Sequence, residues 1–213
     1  MRLAAVHLLA LVLPLVLASS TFPAHEATPT RDRLSNPSFA RPSPGILDLG
    51  DSLSVGTAPY LAARLPEYRI DRIYDVGLHA YDAAMIVGRR QASLPSVVVI
   101  SAGTNDDPRI VFTFARAVSR VLSAAGPDRC VVWPTIARPA AVGAAYDGLN
   151  RALARNAARA PNLVLVDWVG MVRRHPRWLA DDGVHVSVAG YRARATAIAG
   201  KIRSTCARVV DRA

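Results

Sequence analysis

Hydrophobic positions along this chain come in two patterns. The first is a set of short apolar runs: Ile46–Leu49, Ile70–Tyr74, Val97–Ile100, Val131–Trp133 and Leu163–Val166. Two of them, Val97-Val98-Val99-Ile100 and Leu163-Val164-Leu165-Val166, are apolar at every position. A strand with one wet face alternates apolar and polar, whereas a strand covered on both faces does not. These runs therefore predict parallel strands buried between two helical layers.

The second pattern has the helical period. Ile110, Val111, Phe114, Val118, Val121 and Leu122 make one apolar stripe. Asp107 is placed to cap that helix, with Pro108 as its first residue and Gly126 as its stop. An alanine-rich helix is expected over Ala144–Ala158, and a last one from about Val188 to Val209. Strands alternating with helices imply a doubly wound α/β fold. Right-handed crossovers leave few layouts, and the expected one is a three-layer α/β/α sandwich with a five-stranded parallel sheet in the order 2-1-3-4-5. No internal repeat is visible.

Residues 1–44 break both patterns. Arg2 precedes an apolar stretch, Leu3–Leu17, too short for a comfortable membrane span, and Ala18-Ser19-Ser20 supplies the small residues of a cleavage site. Residues 1–20 thus read as a secretory signal peptide, the alternative being an uncleaved anchor. No cysteine lies near the cut to carry a lipid. Five prolines between Pro23 and Pro44, among Ser, Thr and Arg, make 21–44 a flexible tether. The folded domain is expected over 45–213.

Export makes a disulfide between Cys130 and Cys206 plausible, and the topology permits it; two separate buried thiols are the alternative. The net charge is +10, and all but one of the cations are arginine. Arg151, Arg155 and Arg159 share a helix face, and Arg173, Arg174 and Arg177 form a second cluster. Such charge could hold the protein near an anionic cell-envelope surface, although a solvated arginine-rich surface explains it more simply. Zinc-ligand spacing, an aromatic RNA-binding signature and a phosphate-binding glycine loop are all absent, so nothing supports a nucleic-acid role, and a flavodoxin-like cofactor carrier lacks its phosphate loop.

A parallel sheet gathers the segments that follow its strands at one edge, where open α/β sheets place their chemistry. After the first strand comes Gly50-Asp51-Ser52, after the second Asp75-Val76-Gly77, and after the third Gly103-Thr104-Asn105-Asp106. Near the end comes Asp182-Gly183-Val184-His185. A serine nucleophile needs a base, the base needs an orienting carboxylate, and the tetrahedral oxyanion needs donors. The serine elbow of α/β-hydrolases, Gly-x-Ser-x-Gly, is missing around Ser52.

These four segments resemble the blocks of the SGNH (GDSL-type) hydrolase family, over about residues 45–205. The resemblance implies Ser52 as nucleophile, His185 as general base and acid, and Asp182 as its orienting acid. It also implies an oxyanion hole made by the Ser52 N–H, the Gly77 N–H and the Asn105 amide, with no metal or cofactor. The expected function is a secreted serine esterase acting on a small or carbohydrate-linked acyl ester. An acyltransferase using the same site and a non-catalytic envelope-binding module are the alternatives. The expected state is a monomer.

Two features depart from the family pattern. Asp48 stands where an apolar residue is usual, and a buried carboxylate demands an arginine or hydroxyl partner. The glycine block, Asp75-Val76-Gly77, has little polar character beyond His79. Trp133, Trp168 and Trp178 fall at the functional edge and could line a substrate pocket, with core packing expected for at least two.

Overall fold

The computed structural model describes residues 45–210. The expected signal peptide and tether lie outside the described residues.

Five parallel strands form one sheet in the expected order, β2-β1-β3-β4-β5. They are β1 (Ile46–Gly50), β2 (Ile70–Tyr74), β3 (Val97–Ser101), β4 (Cys130–Pro134) and β5 (Leu163–Val166). The helices are α1 (Ser52–Arg64), α2 (Ala80–Arg89), α3 (Val111–Ala125), α4 (Asp147–Ala157), α5 (Trp168–Arg174), α6 (Val188–Lys201) and α7 (Ala207–Val210). Side chains alternate across each strand. Leu47, Leu49, Val98, Ile100, Val131 and Trp133 enter a core with α2, α3 and α4. Ile46, Val97, Val99 and Val132 enter a second core with α1 and α6. Both faces of β1 and β3 are therefore dry, which is why their sequences do not alternate.

Three local expectations are corrected. Helix α3 begins at Val111, not at Pro108. The Asp107 carboxylate accepts from the Arg109 N–H and pairs with its guanidinium, so 107–110 closes as a turn and Ile110 is left exposed. Helix α4 begins at Asp147, three residues late, because Ala141 and Ala144 form a tight bridge around Val142 (φ 46°) and Gly143 (φ 77°). The last helix is interrupted by a wider π-type turn over Ile202–Cys206. Gly126 ends α3 as expected, at φ 72°, and Phe114, Val118 and Val121 of the stripe are buried, while Ile110 lies outside the helix.

Cys130 opens β4, at the end of the sheet away from the strands' carboxyl edge, and is bonded to Cys206 with Cα atoms 5.3 Å apart. Among the described residues no helix is long and apolar enough to cross a membrane.

Candidate active site

The site begins with the β1–α1 junction. Gly50 ends the strand, Asp51 caps the helix by accepting the Leu53 N–H at 3.0 Å, and Ser52 is the first helical residue. The cap occupies one free N–H of the first turn and leaves that of Ser52 pointing out of the helix end. The Asp51 N–H is in turn tied to the Ser101 carbonyl at the end of β3. The serine is thus fixed between two central strands.

Asp182 and His185 arrive from the other end of the chain. A small antiparallel bridge, Leu179 to Val186, frames the loop that carries them. The Ser187 N–H donates to the Trp178 carbonyl and the Ala180 N–H to the His185 carbonyl. Ser187 then caps α6, accepting from the Gly190 N–H. Asp182 Oδ1 accepts the N–H groups of Val184 and His185, each at 2.9 Å. Its Oδ2 faces His185 Nδ1 at 2.6 Å, and His185 Nε2 lies 2.9 Å from Ser52 Oγ. The bond to His185 first, and the two backbone donors after it, hold the Asp182 carboxyl down at about 2. It stays ionised at any working pH and favours a proton on Nδ1, which leaves Nε2 free to accept.

An open cleft of about 350 Å³ has Ser52, His185, Asp182, Asn105, Thr104 and Arg138 in its walls. Asn105 therefore shares the cleft with the three residues just described. Its Nδ2 donates to the Val76 and Leu78 carbonyls at 3.4 and 3.3 Å, lashing the glycine loop to the end of β3. Gly77 does not line the cleft, and its N–H is turned to Asp75 Oδ1 at 3.3 Å. These three contacts are long. Gly103 has φ 114°, and a Cβ there would stand 2.4 Å from Ile136, so the turn before Asn105 needs glycine.

Beneath the serine lies a polar cluster that sequence reasoning missed. Arg194 of α6 is almost wholly buried, as are Asp51 and Asp48. Its Nη2 donates to Ser101 Oγ at 2.8 Å, and Ser101 Oγ donates to Asp51 Oδ1 at 3.3 Å. Its guanidinium also lies over the Trp168 ring, 5.1 Å from the centroid. Burial pulls Arg194 down to about 10 against the attraction of Asp51 and Asp48. Burial pushes Asp51 up, and the Arg194 charge is the largest influence opposing it. One signal could have found Arg194: it occupies a core position of α6, between Gly190 and Ile198 on the buried stripe. Asp48 has the hydroxyl partner its burial demanded, the Tyr74 OH at 2.6 Å.

The indoles pack rather than line the cleft. Trp133 is fully buried and donates to the Ala102 carbonyl. Trp168 is buried and stacked on Trp178, which stacks in turn on His175 and supports the acid–base loop. The clusters Arg151, Arg155, Arg159 and Arg173, Arg174, Arg177 are exposed. No cluster of metal-ligating side chains occurs among the described residues.

Comparison with known proteins agrees with the blocks. The family model described as the GDSL-like lipase/acylhydrolase family matches residues 49–193. The O-acetyltransferase OatA of Staphylococcus aureus is 29% identical over 149 residues, 68% of this chain and 23% of that protein. The chain thus spans about a quarter of the length of the curated relatives it matches. The C-terminal catalytic domain of Streptococcus pneumoniae peptidoglycan O-acetyltransferase A superposes with a TM-score of 0.62 at 22% identity, covering 80% of this chain and 96% of that one. A carbohydrate esterase family 3 protein of Talaromyces cellulolyticus gives 0.62 at 20% identity, covering 79% and 99%. At such identities the solved structures speak for the fold alone.

Proposed function

The chain belongs to the GDSL-like lipase/acylhydrolase family, and from that premise we propose that it is an exported serine esterase that removes a small acyl group from a hydroxyl, with a carbohydrate as the alcohol. The observation that carries this reading is the unbroken line Asp182–His185–Ser52, with contacts of 2.6 and 2.9 Å. Ser52 Oγ attacks the acyl carbon while His185 Nε2 takes its proton, and the carbonyl oxygen becomes an oxyanion. The Ser52 N–H receives it, joined by Asn105 Nδ2 and the Gly77 N–H once these release their long internal contacts. His185 returns the proton to the departing alkoxide, leaving an acyl-enzyme. Water then repeats the sequence on the ester and frees the acid.

Replacing Ser52 by Ala should abolish covalent labelling by a serine-directed phosphonate and turnover of p-nitrophenyl acetate. Labelling that persists would end the reading. An acyltransferase is the second reading, favoured by the two O-acetyltransferase relatives. It uses the same residues, with an acceptor alcohol in place of water. Product analysis with and without an acceptor alcohol separates the two. A non-catalytic envelope-binding module has no use for the intact line; binding to an anionic polymer without turnover would favour it.

A further inference from the structure

Beside the cleft of Ser52 lies a second hollow of about 330 Å³. The two share Arg138 and Pro139 as a common wall, and Gly183, next to Asp182, borders the second. Its floor is apolar, with Ile136, Val169, Val172 and Leu179. Its charged rim is Arg138, Arg173 and Asp147.

Arg138 is held firmly. Its Nη1 donates to the Thr104 carbonyl, and its guanidinium lies 5.6 Å from the centre of the Tyr146 ring. Arg173 projects from α5 and is exposed. Among the described residues neither guanidinium is in an ion pair, whereas Arg90, Arg109 and Arg203 each pair with a carboxylate. Two guanidinium groups outside any ion pair thus flank an apolar floor that shares the Arg138–Pro139 wall with the cleft of Ser52. Guanidinium forks match carboxylates, and apolar floors with a few placed charges are how small-molecule sites are built.

We propose that this hollow is a subsite for the alcohol part of the substrate and that it selects an alcohol bearing a carboxylate, such as a uronic-acid-type sugar. The ester lies at Ser52, the ring crosses Pro139, and the carboxylate meets Arg173 and the free N–H groups of Arg138. The assignment of the ester end rests on the reading of Ser52 as nucleophile. Asp147 stands on the same rim and opposes an anion, so its charge and that of Arg173 act with opposite sign.

A binding experiment decides the hollow. The Ser52→Ala protein is titrated with digalacturonate and with neutral maltose by calorimetry. Digalacturonate should bind more tightly. Arg173→Gln should weaken it about 3–10-fold, Asp147→Asn should strengthen it, and about 0.5 M salt should erase the preference. A uronate that binds no better than maltose, or that ignores both substitutions, overturns the inference. A turnover experiment with Ser52 intact then tests the link to chemistry. Arg173→Gln should lower kcat/KM for 4-acetoxybenzoate while p-nitrophenyl acetate stays within about twofold; equal effects on both esters overturn the inference. If the wild type turns over neither ester, the reading of Ser52 fails, while the binding result still stands for or against the hollow.

Discussion

Asp48→Val is the substitution whose consequences can be worked furthest. Asp48 is 2% exposed in the middle of β1, on the face that carries Ile46, Val97 and Val99. Burial raises its carboxyl from 3.8 to about 6, against the lowering effects of the Tyr74 hydroxyl, Arg72 and Arg194. The folded protein therefore binds this proton more tightly than the unfolded chain. Wild-type stability is full below 3.8 and falls as pH rises through the window from 3.8 to about 6. Above that window the loss is about 3 kcal/mol, since one pKa unit is 1.36 kcal/mol. Valine carries no proton and continues the apolar face of the strand. It takes away the acceptor of the Tyr74 hydroxyl, but Tyr74 is half-exposed and water can replace it. The stability of the variant relative to wild type should therefore rise by about 2–3 kcal/mol between pH 4 and pH 8. Urea unfolding followed by tryptophan fluorescence at both pH values measures this. Asp48 does not line the cleft, so esterase activity should persist. A relative stability that is flat from pH 4 to pH 8, or a variant weaker than wild type at pH 8, would refute the account.

Asp182→Asn should lower kcat by about 10³–10⁴-fold, because Asn Oδ1 keeps the two backbone donors and Nδ2 then donates to His185 Nδ1, forcing the proton onto Nε2; a variant keeping a tenth of the activity on p-nitrophenyl acetate contradicts it. Arg194→Met strips the buried Asp51 of its nearby cation and should destabilise by about 3 kcal/mol at pH 8. The penalty should shrink as pH is lowered, because burial already raises the Asp51 carboxyl and losing the Arg194 charge raises it further; equal losses in melts at low and high pH count against the cluster. Replacing both Cys130 and Cys206 by Ala opens a loop closed over 76 residues and should cost about 4–5 kcal/mol, with phosphonate labelling of Ser52 retained. A loss below about 1 kcal/mol in urea unfolding would show that the bridge contributes little.

Strand identity, sheet order and the four blocks were legible because each depends on local pattern and on chain connectivity. An all-apolar run has no stable home except between two layers, and crossover handedness does the rest. The same logic placed Ser52 and Asn105 at one sheet edge, the family resemblance added Asp182 and His185, and the topology permitted a Cys130–Cys206 bridge without deciding it against two separate thiols. Helix starts were less legible. At Asp107 a local ion pair with Arg109 competed with capping, and at Ala144 a tight bridge competed with alanine's helical preference. What only the tertiary structure decided was distance and company. The 2.9 Å between His185 Nε2 and Ser52 Oγ depends on how α6 and its loop settle against α1. So does the burial of Arg194, which in sequence is one arginine among many and in the fold is the buried cation linked through Ser101 to Asp51, next to Ser52. Periodicity says which face of an element is dry. Which charges end up sharing that dryness is set by packing between segments more than a hundred residues apart, as in the 133-residue separation of Ser52 and His185, and no local pattern encodes it.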